Sequence, residues 1–159
     1  MIDSTGTVWA GLDNPSLYLS RSTDGGATFS PWAAVTNGSI NYSAWGVGAD
    51  VIWVAGYQQS AARISLATPT VATSIGGLVS ANAAETALAV DVLGTAYVAR
   101  CGSGGIPLQR ARVADAAFGA AVTVDAQGRY PSLTLPEASD TVIVSYERGG
   151  AIWLSVQTF

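Results

Sequence analysis

The 159-residue sequence predicts an all-β fold, a β-propeller of four-stranded antiparallel blades. Three observations predict it. Short β-branched and aromatic runs are broken by Gly, Pro, Asn and Asp every eight to twelve residues or so, as many short strands require. Four families of such runs recur with one period of about 44 residues. Repeats of about 40–45 residues with four strands each read as propeller blades, because a lone blade cannot bury both faces and stacked neighbours can.

The strands are labelled A to D from the propeller axis outward. Strand B is read from Gly6–Gly11, Asp50–Ala55, Gly94–Ala99 and Asp140–Ser145; Trp9, Trp53 and Tyr97 fall 44 residues apart, and Ile143 follows 46 later. Strand C is read from Leu17–Ser20, Ile64–Ala67, Leu108–Ala111 and Ile152–Ser155. Strand D is read from Ala33–Val35, Gly77–Val79 and Ala120–Val122, and strand A from Ser43–Val47, Thr86–Val90 and Pro131–Leu135. The alanine-rich stretch Ser80–Val90 is the best helix candidate, but its place in the repeat predicts a loop leading into a strand.

The chain therefore reads B-C-D, A-B-C-D, A-B-C-D, A-B-C. It forms a single domain, 1–159, with repeats at approximately 1–38, 39–82, 83–126 and 127–159, or about three and a half to four blades. Only Met1-Ile2-Asp3 stands where the first strand A belongs. Open blades leave unpaired edges, which proteins normally cover. The expectation is that the ends meet in a shared blade, that other chains complete them, or that the chain is part of a longer protein.

Composition narrows the chemistry. All seven basic residues are Arg, and the sequence has no Lys and no His. That excludes Ser-His and Cys-His pairs, His zinc sites and lysine Schiff bases. The formal net charge is −4, so no basic footprint points to nucleic acid. Cys101 is the only cysteine; it allows no intrachain disulfide and reads as a buried, inert thiol. No cofactor and no metal is implied. No signal peptide is visible at Met1–Gly6, and no apolar run approaches about 20 residues, the length of a membrane span. Asn37-Gly38-Ser39 and Asn41-Tyr42-Ser43 fit the glycosylation pattern but read as turns.

One hairpin carries a family resemblance. Between strands C and D of the first repeat lies Ser22-Thr23-Asp24-Gly25-Gly26-Ala27-Thr28-Phe29. It resembles the Asp-box, or BNR repeat, of sialidase-like propellers, with Ser22, Asp24, Gly26, Thr28 and Phe29 filling the pattern. A decayed copy, Arg112 to Phe118, sits in the third repeat, where Arg112, Asp115 and Phe118 echo Arg21, Asp24 and Phe29. The residues suggest a structural device. Asp24 can accept bonds from the turn's own N–H groups, Gly25 and Gly26 can take positive φ, and Phe29 can plug the hairpin from below. One carboxylate among glycines supplies too few oxygens for calcium.

Up-and-down strand order puts the D→A and B→C loops on one rim and the Asp-box on the other. The resemblance implies an active site on the D→A/B→C rim in catalytic relatives. Candidate ligand-binding residues there are Tyr42, Tyr57, Arg100, Arg129, Tyr130, Tyr146, Glu147 and Arg148. The same loops carry Asp13, Asn14, Asn41, Gln58, Gln59, Asn82, Glu85, Asp125 and Gln127. Aromatic faces with amide and guanidinium donors suit sugars or a polar protein interface, although loops are polar in any case.

A sialidase would need an arginine triad, a Tyr-Glu pair and an Asp acid. Arg100, Arg129 and Arg148, Tyr146 or Tyr130 with Glu147 or Glu85, and Asp125 are the available side chains. The family's Phe/Tyr-Arg-Ile-Pro motif is missing, however, and Arg129-Tyr130-Pro131 is a poor echo. No catalytic residue is assigned. The expectation is a non-catalytic module that binds carbohydrate or a cell-surface receptor, in a virion (phage tail) or extracellular protein. The alternatives are a structural subunit finished by other chains, and a sialidase-like glycoside hydrolase.

Overall fold

The computed structural model describes residues 1–13, 16–36, 43–56, 60–79, 85–136 and 141–159. They form four antiparallel sheets and no helix. Sheet 1 holds β1 (Val8–Asp13), β2 (Leu17–Ser22) and β3 (Ala33–Ala34). Sheet 2 holds β4 (Ala44–Gly48), β5 (Val51–Ala55), β6 (Ala61–Ser65) and β7 (Ala72–Ser74). Sheet 3 holds β8 (Thr86–Val90), β9 (Ala96–Arg100), β10 (Ile106–Ala111) and β11 (Val122–Asp125). Sheet 4 holds β12 (Arg129–Thr134), β13 (Thr141–Arg148) and β14 (Ala151–Thr158). Within each sheet every strand pairs with its neighbour in sequence, and no sheet closes into a barrel.

The sheets stack face to face, and the period of 2 in a strand explains how. On β5, Ile52 and Val54 point back to Trp9, Leu17 and Leu19 of sheet 1. The alternate residues Val51, Trp53 and Ala55 point forward to Ala96 and Val98 of sheet 3. On β9, Tyr97 and Ala99 point forward again, to Val142, Val144 and Tyr146 of sheet 4. A strand buried on both faces reads as a continuous apolar run, and all five residues of β5 and of β9 are buried.

Strands β4, β8 and β12 are the inner strands, and β8 touches both of the others. Small residues permit the approach. A Cβ on Gly48 would stand 2.2 Å from the carbonyl oxygen of Asp91. At the outer edge, short parallel bridges tie Thr36 to Val71 and Gly76 to Ala117.

Two expected strands are displaced. In the second repeat strand C ends at Ser65, and strand D is Ala72–Ser74, not Gly77–Val79. The turn between them is short, so the strand comes early. Residues 75–79 then run along sheet 3, where the Gln109 amide donates to Gly77 O and accepts from Val79 N–H. In the third repeat strand D begins at Val122 and runs on to Asp125. Of the helix candidate, residues 86–90 are β8 and residues 80–84 lie outside the described residues. Met1 exchanges backbone bonds with Trp9, so the first three residues supply a fragment of the missing strand A.

The Ser22–Phe29 hairpin is bonded through its side chains. Ser22 Oγ donates to Asp24 Oδ1 at 2.6 Å and accepts from Gly26 N–H at 2.8 Å. Thr28 donates to both Asp24 oxygens, by its N–H at 2.9 Å and its hydroxyl at 2.5 Å. Gly25 and Gly26 have φ of +74° and +96°. Phe29 departs from the expectation of a plug, for it is 46% exposed. Phe118 is the ring that plugs; it is buried edge-on against Trp53 of the preceding sheet, with centroids 5.9 Å apart. Among the described residues no sheet stands behind sheet 1, so Phe29 enters none.

A second turn device went unread in the sequence. Asp3-Ser4-Thr5-Gly6-Thr7-Val8-Trp9 and Asp91-Val92-Leu93-Gly94-Thr95-Ala96-Tyr97 share an Asp, Gly-Thr and aromatic pattern 88 residues, or two repeats, apart. Asp3 accepts from the N–H groups of Thr5 and Thr7 and from Trp9 Nε1. Asp91 accepts likewise from Leu93 and Thr95 N–H and from the Tyr97 hydroxyl.

Candidate functional site

Hydrogen bonds within and between repeats bring the D→A and B→C loops to one rim. Ser43 donates its N–H and hydroxyl to Asp13 Oδ2. Cys101 N–H donates to Glu85 O at 3.0 Å. Arg100 reaches two loops at once, donating from Nη1 to Val79 O at 2.8 Å and from Nη2 to Gly56 O at 2.9 Å.

The rim is best described between sheets 3 and 4. A cavity of about 340 Å³ opens there, lined by Glu85, Cys101, Ser103, Gln127 and Arg129 and by the glycines around them. That volume falls in the range of about 300–1,000 Å³ usual for ligand clefts. Beside it, Arg148 Nη1 pairs with Asp125 Oδ2 at 3.0 Å. The Tyr146 hydroxyl donates to the same oxygen at 3.3 Å, and Gln127 N–H donates to Asp125 Oδ1 at 2.7 Å. The Arg148 guanidinium also lies over the Trp153 ring, 5.7 Å from its centroid.

Electrostatics follow from these contacts. The Gln127 N–H, with the Arg148 charge, holds the Asp125 carboxyl below the usual carboxylate range against partial desolvation. Burial, then the nearby Asp125 charge, pushes the Tyr146 phenol up. Burial, then Glu85, pushes the Cys101 thiol up, away from the thiolate that a nucleophile needs. Burial lowers the Arg100 guanidinium.

The candidate residues divide accordingly. Tyr146 and Arg148 converge on Asp125. Arg129 is exposed and lines the cavity. Tyr130 is 58% exposed with φ at +52°, in a β-bulge of β12, and its N–H donates to Glu85 Oε2 at 3.1 Å. Such a φ is uncommon outside glycine, and bulges re-aim side chains. Glu147 is half-buried and pairs with Arg129 in the β12–β13 ladder, next to the bulge. Arg100 is 1% exposed and serves backbone carbonyls, so its side chain is turned from solvent. Tyr42 and Tyr57 lie outside the described residues, as do Asn14, Asn41, Gln58, Gln59 and Asn82.

The sequence did not single out every residue that lines the cavity. Gly102, Ser103 and Gly105 after β9 line it, and in the sequence they are marked only by their small size. Among the described residues no three His, Cys, Asp or Glu side chains gather as metal ligands, and no helix is long and apolar enough to cross a membrane.

No family model and no curated protein matches the chain. Among solved structures, it is similar to the K499G mutant of NanB sialidase from Streptococcus pneumoniae, with a TM-score of 0.58 and 14% identity. The match covers 92% of this chain and 26% of the sialidase. At that identity the likeness defines the fold alone: the chain has a sialidase-like β-propeller fold.

Proposed function

We propose that the chain is a non-catalytic propeller module whose D→A/B→C rim binds carbohydrate or a cell-surface receptor. Its four sheets are four blades, two of them a strand short, and Ser22–Phe29 is an Asp-box that holds a hairpin on the opposite rim. The placement is extracellular or in a virion, such as a phage tail. The observation that carries the binding reading is the polar cavity beside the Asp125–Arg148 pair. It offers Arg129, Gln127 and Glu85 to hydroxyl groups, with Tyr130 exposed nearby, and rings of this kind suit the apolar faces of sugars.

The same observation weighs against the sialidase-like reading. Arg100 is held by two carbonyls and Arg148 by Asp125. An arginine triad on one substrate group would require both to let go.

Glycan-array capture by the purified chain tests the proposal. Capture should occur, and Arg129→Ala should weaken it about tenfold or more, since bonds to a charged group contribute about 1.5–3 kcal/mol. No capture of any glycan or cell surface would sink the binding reading. Release of a fluorogenic sialoside, abolished by Arg129→Ala, would restore the enzyme. Assembly as a structural subunit is favoured by a separate observation, the bare apolar faces of sheets 1 and 4.

A further inference from the structure

The chain contains one kind of interface three times. In each, the forward face of one sheet meets the backward face of the next: sheet 1 on 2, sheet 2 on 3, and sheet 3 on 4. Among the described residues, the forward face of sheet 4 and the backward face of sheet 1 pack on no other sheet. The sheet 4 face carries Ile143, Ile152, Leu154 and Val156, and the sheet 1 face carries Val8, Ala10, Leu12 and Tyr18 beside the buried Ser20 and Ser22.

Equivalent positions show the contrast. Leu17 and Leu108 point forward from the outer side of their sheets and are fully buried by the next sheet. Ile152 occupies their place in sheet 4 and is 76% exposed, with Leu154 at 69% and Val156 at 65% on the same face. The backward side repeats the argument. Phe118 enters the interface beside Trp53, whereas Phe29, its counterpart in the first repeat, stands exposed. Ile143, the counterpart of Trp53, lies on the free forward face of sheet 4. Knob and hole are both present, at opposite ends of one chain.

We propose that a second copy of this chain covers these faces head to tail, the forward face of sheet 4 in one copy packing on the backward face of sheet 1 in the other. The contact continues the sheet-on-sheet interface the chain already makes three times, with unlike faces complementary by repeat position. It is therefore heterologous, and it closes a pair when both ends engage or extends into a row when they do not. The proposal deepens the assembly part of the reading above and does not depend on glycan capture. Mass reports the one and the array the other, so each can fail alone.

The test is the solution mass of the whole chain by light scattering across a dilution series. The wild type should associate at micromolar concentration. Leu154→Asp and Phe29→Asp should each shift it to smaller species; both positions are exposed, so each variant should keep the wild-type circular dichroism spectrum. Mixed in equal amounts, the two variants should recover a two-copy species, because each retains the end the other lacks. A monomer at all concentrations overturns the proposal. Association that Leu154→Asp abolishes and Phe29→Asp leaves intact also overturns it, since that is a tail-to-tail contact.

Discussion

Asp24 is an exposed carboxylate that acts through geometry. The Ser22 and Thr28 hydroxyls and the Thr28 N–H hold it well below the ordinary carboxylate range. A depressed carboxyl contributes stability above its unfolded pKa and loses it as pH falls through the folded value. Thermal melts of the wild type should therefore fall as the pH drops below about 4, and Asp24→Ala should flatten that dependence. At neutral pH the variant should melt lower with unchanged glycan capture, because the hairpin is on the far rim; lost capture at unchanged Tm would reverse the rims. Arg100 is the complementary case, buried and positive. Arg100→Ala strands the Val79 and Gly56 carbonyls and should cost about 1–3 kcal/mol for each one left unsatisfied, read by urea denaturation.

At the scale of elements, the sequence was most readable where strands pack on both faces. In β5 and β9 every residue is buried, so the runs around Trp53 and Tyr97 stand out against polar turns. It was least readable at the outer strands. Strand β7 came several residues early because its position follows the length of the preceding turn and the Gln109 clasp, and neither leaves a hydrophobic pattern. The inner strands depend on small residues. Gly48→Val would push a side chain into the backbone of Asp91 and should destabilise by about 1–3 kcal/mol; a wild-type urea midpoint would contradict the packing of β4 against β8.

For the whole molecule, stability should be graded along the stack. Sheets 2 and 3 are covered on both faces and sheets 1 and 4 on one. Local opening free energies follow buried contact, so amide exchange in β5 and β9 should be the slowest, and β1 and β14 should exchange faster. Equal protection across the four sheets in dilute solution would mean the outer faces are already covered, as the head-to-tail contact requires at higher concentration. The rim was legible as a set of loops, since antiparallel order alone assigns them to one side. Its cavity was not, because it is made by backbone runs from two repeats meeting between sheets 3 and 4.

The sequence by itself determined the all-β class, the repeat and the turn chemistry, because strand period, punctuation and Asp-centred turns are local. Only the tertiary structure decided which side chains those elements would cover. Phe29 and Phe118 share a local pattern, yet one is exposed and the other buried. Arg100 and Arg129 both stand at strand ends on the same rim, yet one holds the fold together and the other faces a cavity. In both pairs the difference is whether a neighbouring sheet or loop stands opposite, and that is settled by stacking.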